Sequence, residues 1–150
     1  MDLFLGADHQ GFALKNQLAG WLRAEGHTVT DLGAKTLEIG DDYPAYAFAV
    51  GEAVAQDTKN RRGILLCGSG VGVAVAANKV SGIRAALIHD SRIAREARHD
   101  DDVNVLALAA AHISASEAQE IIHAFLMTSF AGDERYQRRL DQISTYEHTH

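Results

Sequence analysis

Cys67, the only cysteine of the chain, stands where the apolar run Ile64-Leu65-Leu66 gives way to glycines at positions 68, 70 and 72. From Val71 to Lys79 the sequence then reads as a helix. An unbroken apolar run suits a strand covered on both faces, as in a parallel sheet. The glycines let the backbone turn sharply with its amides exposed. A thiol in this place lies at the carboxyl end of a strand and beside a helix amino terminus. Open α/β sheets collect ligands at that edge, and the local field there favours thiolate over thiol. The plain alternative is a small buried hydrophobe, a common fate of free cysteine. A structural cysteine, however, has no need of three glycines after it.

Other chemistry-bearing residues fall near the ends of neighbouring strands. Gly6-Ala7-Asp8-His9-Gln10-Gly11 follows the first apolar segment, Ile88-His89-Asp90 closes the fourth, and Arg98-His99-Asp100-Asp101-Asp102 precedes the fifth. Asp8, His9, Cys67, Ser69 and His99 are thereby expected to converge on one cleft. Each residue also has an ordinary reading: Asp8 as a helix cap, His9 as a structural side chain, and the Asp100–Asp102 run as a solvated helix end. Near the carboxyl terminus Arg135 and Arg139 are four apart, share a helix face and can grip one anion together. Surface pairing with Asp133, Glu134 or Asp141 is the competing reading.

Several motifs fail on their residues. A nucleotide-binding phosphate loop needs lysine followed by serine or threonine after its second glycine, and Val71–Ala77 offers neither. A dinucleotide fingerprint wants glycine or alanine where Val73 stands. A nucleophile elbow at Ser69 needs glycines where Cys67 and Val71 stand. A cysteine phosphatase loop needs an arginine in the region of Val73 and Ala74. What remains is a thiolate beside a nest of backbone amides, with no metal or nucleotide signature. That equipment suits removal of a proton next to a carbonyl, the amides stabilising the enediolate oxygen.

The scaffold that must position these groups is legible in the alternation of the chain. Its 150 residues, 47% hydrophobic and 23% charged, suit one folded domain over 1–150. A net charge of −6 argues against a nucleic-acid binder. The segment Met1–His9 has no signal-peptide character, no window reaches membrane-span length, and one unpaired cysteine fits the reducing cytoplasm. Strands are expected at Leu3–Leu5, His27–Leu32, around Ile64, at Gly82–Ile88 and at Val103–Leu108. Helices are expected from Phe12 to Leu22, from Tyr46 to Ala55, from Val71 to Lys79, and from Ser91 to Arg98. A further helix is expected from Ser114 to Phe130, with Glu117 completing a capping box, and a last one from Glu134 to Tyr146. A polar loop should hold Gly33–Pro44, and the tail 143–150 should fray. Five strands separated by helices give a doubly wound, Rossmann-like α/β fold: a three-layer sandwich with a five-stranded parallel sheet and an extra carboxyl-terminal helix.

Five stretches together resemble the type B ribose-5-phosphate isomerases, close kin of the galactose-6-phosphate isomerase subunits. They are Gly6–Lys15, Asp42–Ala47, Gly63–Lys79, Gly82–Ala86 and Arg135–Arg139, in order along nearly the whole chain. The resemblance implies a metal-free aldose–ketose isomerase, with no cofactor, that binds a sugar phosphate between the two subunits of a homodimer; such dimers can pair into tetramers. Cys67 matches the proton-abstracting base, and some relatives carry a glutamate at the position of Val73 instead. Ser69 and His99 match the groups that open the furanose ring, with Asp8 in the same pocket. The amides from Gly68 through Gly70 and Val71 to Gly72 match the enediolate cradle. His9, Arg135 and Arg139 match phosphate ligands, and Tyr43 matches a pocket wall.

The chain departs from the family pattern in four places. Asp100 replaces an asparagine after His99, the stretch from His99 to Asn104 is one residue longer, and Ala110-Ala111-His112 replaces a motif whose arginine helps hold phosphate. Tyr136 stands where a histidine is usual. Asp100 and His112 therefore join the substrate-contact candidates and bear on the identity of the sugar. Ribose 5-phosphate and ribulose 5-phosphate are the leading pair. The rivals are a different sugar phosphate or sugar acid, and a non-catalytic sugar-phosphate-binding subunit.

Overall fold

The computed structural model describes residues 1–150. Its five strands, β1 (Asp2–Ala7), β2 (Thr28–Asp31), β3 (Arg61–Cys67), β4 (Ala85–Leu87) and β5 (Val105–Ala109), form one all-parallel sheet in the order β2-β1-β3-β5-β4. The helices are α1 (Phe12–Ala24), α2 (Tyr43–Ala55), α3 (Val71–Ala77), α4 (Ser91–Asp101), α5 (Ala115–Met127) and α6 (Glu134–Thr149).

The period-2 alternation of strand side chains splits the core into two layers. Leu3, Leu5, Ile64, Leu66, Leu106 and Leu108 face α1, α4 and α5, meeting Leu18, Leu22, Ala94, Ile122 and Phe125. Leu65, Cys67, Val105 and Ala107 face α2 and α3, meeting Val50, Val54, Val73 and Ala77. Both sides of the sheet are thus covered, which explains why β3 reads as a continuous apolar run. The three layers match the expected architecture.

After β1 the chain moves outward to β2, and after β3 it moves the other way, so β1 and β3 flank the point where winding reverses. Ligand crevices of open α/β sheets lie outside the carboxyl ends of such a strand pair. On the β2 side, Lys15 of α1 is completely buried; its ammonium donates to Asp31 at 2.7 Å and to the Ala34 carbonyl at 3.0 Å. That pair pins the loop after β2 against α1.

Boundaries differ from expectation where side chains take over backbone bonds. Helix α2 begins at Tyr43, ahead of Tyr46, because Pro44 occupies a first-turn position where its missing N–H leaves no bond unmade. Strand β4 keeps only three residues. The buried Asn104 side chain accepts from the Arg84 amide at 2.9 Å and donates to the Gly82 carbonyl at 2.9 Å, replacing the ladder there. The tail 143–150, expected to fray, is helical through Thr149. Glu147 accepts from the Gly82 amide at 2.9 Å, and the Tyr146 and His150 rings stack with centroids 4.1 Å apart, so the end of α6 is tied down.

Candidate active site

Strand register explains why the chemical residues meet. Ala7 pairs with Leu66 and Cys67 with Ala109, so whatever follows β1, β3 and β5 falls side by side at one edge of the sheet. Asp8, the glycine turn and the short helical turn Ala110–His112 are those segments. The Ala111 amide donates to the Gly68 carbonyl at 3.1 Å and locks two of them together. Between them opens a cavity of about 380 Å³. Cys67, Asp8, Ser69, Tyr43 and His112 line it, with Gly68, Gly72, Gln10 and Ala111 completing the wall. Cys67 is a free thiol, only 5% exposed, yet it forms part of that wall. Burial and a place on the cavity wall thus coexist in this cysteine.

The turn needs its glycines. Gly70 has φ of +75°, and a Cβ there would lie 2.9 Å from the Leu108 carbonyl carbon. Gly70 is buried behind the cavity, while Val71 is exposed and does not line it. A Cβ on Gly72 would lie 2.6 Å from the Tyr43 ring, so the missing side chain is what admits the aromatic wall. The Ser69 hydroxyl accepts from the Val71 amide at 3.3 Å, which aims it over the first turn of α3.

Asp8 is buried and works as a turn cap: its Oδ1 accepts from the Gln10 and Gly11 amides at 3.0 and 3.2 Å. It is at the same time a cavity wall, so the cap reading and the site reading coexist. His9 lies between two lining residues without lining the cavity itself. Its ring is held by Asp41, which also accepts from the Tyr46 hydroxyl at 2.9 Å. Burial pushes the Asp41 carboxyl up, but the backbone and ring hydrogen bonds from His9, with that of Tyr46, bring it below its ordinary value. The same contact raises the Tyr46 hydroxyl, chiefly through its bond to Asp41. Sequence reasoning named neither Gln10 nor Asp41 as a site residue. Asp41 lies 32 positions from His9, inside a polar loop with no periodic signal.

The remaining expected residues gather elsewhere. His99, at the end of α4, meets the Tyr136 ring edge-on at 5.8 Å. Arg135 stacks over the same ring at 4.6 Å and donates to the Tyr136 hydroxyl at 2.7 Å, while Arg139 lies 5.9 Å from it. None of these lines the Cys67 cavity, so a single copy does not bring His99 to Cys67. The surface pairs weighed against anion binding do not form: neither arginine bridges to a carboxylate. The Asp100 carboxylate turns toward His99 Nδ1 at 2.6 Å. That bond above all, with help from the Tyr136 hydroxyl and Arg135 and against partial burial, keeps the Asp100 carboxyl low. Behind it, Asp102 ends the helix with φ of +46°, its carboxylate clasped by Arg84 at 2.8 Å and Arg98 at 2.6 Å.

Asp8, His9 and Asp41 bring potential metal-ligating atoms within 4.8 Å of one another. Their closeness is already explained by the bonds of Asp8 to backbone amides and of Asp41 to His9. The chemistry offered by the cavity is that of a thiol, a carboxylate, a hydroxyl and an imidazole around a space that fits a small polar molecule.

Known proteins are similar to this chain over nearly its whole length. Residues 3–143 match the family model described as Ribose/Galactose Isomerase. The probable ribose-5-phosphate isomerase B of Mycoplasma genitalium is 41% identical over 146 residues, covering 97% of this chain and 95% of that protein. The D-erythrulose-4-phosphate isomerase of Pectobacterium atrosepticum is 39% identical over 148 residues, covering 99% and 96%. The crystal structure of the Mycoplasma genitalium enzyme with bound ribulose-5-phosphate superposes with a TM-score of 0.94, covering 98% of this chain and 96% of that one. Sheet order, cavity and sequence thus lead to one conclusion: the chain belongs to the ribose/galactose isomerase family of aldose–ketose isomerases.

Proposed function

We propose that this protein interconverts ribose 5-phosphate and ribulose 5-phosphate through an enediolate, with Cys67 as the base. The observation that carries the proposal is the Cys67 sulfur on the wall of a cavity at the β1/β3 reversal, next to Asp8, Ser69 and the glycine turn. The furanose must first open: the C1 hydroxyl gives up a proton, the C1–O4 bond breaks, and O4 takes a proton to become a hydroxyl. Ser69 and His99 are the groups for that exchange. The Cys67 thiolate then removes the C2 proton of the open aldose, and the electron pair forms the C1–C2 double bond of an enediolate. Amides of the turn stabilise the oxyanion on O1, a proton passes from O2 to O1, and return of the abstracted proton from Cys67 to C1 gives the ketose with its carbonyl at C2.

His99, Arg135 and Arg139 do not reach this cavity within one copy, so the proposal includes a homodimer in which a second copy supplies them. The outward faces of α2 and α3 support such an assembly: Val71 and Val75 of α3 are 51% and 55% exposed, one helical turn apart, and Phe48 of α2 is 39% exposed. Unpaired arginines facing the partner's cavity would bind the phosphate. A reducing compartment such as the cytoplasm suits a working thiol, and no helix is long and apolar enough to cross a membrane.

The likeness to a tetrulose-phosphate enzyme favours a second reading, the same reaction on a shorter sugar phosphate. Both are tested by incubating the purified protein with a panel of aldose phosphates and following ketose formation. Ribose 5-phosphate should have the largest kcat/KM, and Cys67→Ala should lose on the order of a hundredfold or more. Comparable turnover by Cys67→Ala refutes the thiolate; a tetrose phosphate outpacing ribose 5-phosphate moves the assignment to the second reading.

A further inference from the structure

A second cavity, of about 380 Å³, opens at the amino end of the sheet, where β3 starts and α4 ends. Arg62 and Arg98 line it, together with Lys59, Asp102 and Ser129. Five positions of extended strand separate Arg62 from Cys67, roughly 16 Å, so this space is not the Cys67 cavity. Both guanidinium side chains are more than nine-tenths buried: Arg62 is 7% exposed and Arg98 3%. Arg62 Nη1 donates to the Thr58, Lys59 and Arg61 carbonyls at 2.8, 3.4 and 2.7 Å. Arg98 Nη1 donates to Asp102 at 2.6 Å and to the Val103 carbonyl at 2.7 Å, and its Nε to the Thr128 carbonyl at 3.3 Å. Nη2 of each arginine finds no acceptor in the chain. No buried side-chain nitrogen is left unpartnered. Both Nη2 groups therefore reach open space, and this cavity is the space that they share.

Charge at this cavity is unbalanced. Neither Arg62 nor Lys59 has a carboxylate partner. Asp102 is the only carboxylate on the wall, and its two oxygens are taken by Arg98 and Arg84. Asp57, just ahead of β3, is bonded to Asn60 and does not line the space. Burial pulls the Arg62 guanidinium down to about 10, and the neighbouring charge of Arg98 adds to the fall. A chain with a net charge of −6 thus concentrates cations here, two of them buried. An anion between two guanidiniums offsets their mutual repulsion, and the planar fork of each suits the oxygens of a phosphate. The Ser129 hydroxyl adds a neutral donor to the same wall. We propose that this cavity is a binding site for a phosphate group, as free phosphate or as a phosphate monoester, held by Arg62 and Arg98 with Lys59 adding its charge. The site is separate from the isomerase cavity and stands whichever sugar that cavity takes.

Isotope-labelled native protein, followed by NMR as inorganic phosphate replaces chloride at constant ionic strength, tests the site directly. The Nε–H signals of Arg62 and Arg98 should shift along a curve that saturates in the millimolar range. Amides of the Gly68–Gly72 turn report phosphate in the other cavity separately. Arg62→Gln should weaken the binding seen at Arg98 by about tenfold, the scale of one charge-assisted hydrogen bond. The same variant removes an unpaired buried charge and should fold at least as well as the native protein when phosphate is absent. Glycerol phosphate distinguishes the two sources: binding tighter than inorganic phosphate assigns a monoester, and weaker binding assigns the free ion. Arginine signals that drift linearly without saturating overturn the proposal. Acetate binding as tightly as phosphate, or native affinity at Arg98 in Arg62→Gln, overturns it as well. Should Arg62→Gln not fold, the native titration still decides, alongside Lys59→Gln at an exposed position. That variant should bind phosphate about threefold more weakly, and unchanged affinity in it together with an unsaturated native titration overturns the site.

Discussion

Replacing Gly72 by alanine separates the architecture of the cavity from the stability of the fold. The added Cβ would sit 2.6, 2.8 and 2.9 Å from three carbons of the Tyr43 ring. Comfortable carbon contacts begin at about 3.5 Å, so the ring must retreat by roughly 1 Å. It can do so, because Tyr43 is 37% exposed and one side of it faces solvent. Losing about 40 Å² of apolar contact would cost about 1 kcal/mol. Against this, alanine in a helix is favoured over glycine by about 1 kcal/mol. The two effects cancel to within about 1 kcal/mol, which is a melting shift of no more than about 4 °C at this chain length. Activity should not cancel. A wall residue displaced by about 1 Å misplaces the sugar, and such errors cost on the order of a hundredfold in rate. The assay is kcat/KM for ribose 5-phosphate alongside a thermal melt. Native activity in a folded Gly72→Ala variant would refute the role of Tyr43 as a wall. A large drop in melting temperature would refute the claim that the ring is free to yield.

Two further outcomes test the supports of the site. Asp31→Ala strands the fully buried Lys15 ammonium with one carbonyl partner, and should destabilise the protein by about 3–5 kcal/mol in urea unfolding; a loss below about 1 kcal/mol would mean that water or a rearrangement replaces the carboxylate. Asp41 has its carboxyl lowered from the ordinary 3.8, so the stability that it contributes is complete above that value and is lost as pH falls through the lower folded value. Native protein should therefore weaken more than Asp41→Asn between pH 6 and pH 3 in denaturant titrations, and parallel losses would count against the ionised pair.

The parts of this structure that could be read from sequence are those fixed by neighbours along the chain. The apolar run before Cys67 became β3, the glycines became the turn, and the capping box at Ser114 and Glu117 formed both of its bonds, at 2.8 and 3.1 Å. Asp8, Cys67 and Ser69 met as expected because parallel register aligns strand ends. What was illegible depends on distant partners. Asp41 draws its meaning from His9, and β4 was shortened by Asn104, which lies beyond α4 in sequence. His99 was expected beside Cys67 but is held by Tyr136 on α6, a contact between elements that local pattern cannot join. The tail owed its order to a glycine amide 65 positions away.

The Cys67 sulfur is carried by a strand end, whereas the His9 imidazole is held from a surface loop by Asp41, whose hydrogen bonds run to His9 and Tyr46. Sequence drift in that loop leaves the sheet untouched. Substitutions there would alter what surrounds the cavity while leaving the strand ends that carry Asp8 and Cys67 as they are. Acquiring a new reaction would require rebuilding the strand ends themselves, which is why diversity in this architecture should accumulate in substrates before it accumulates in chemistry.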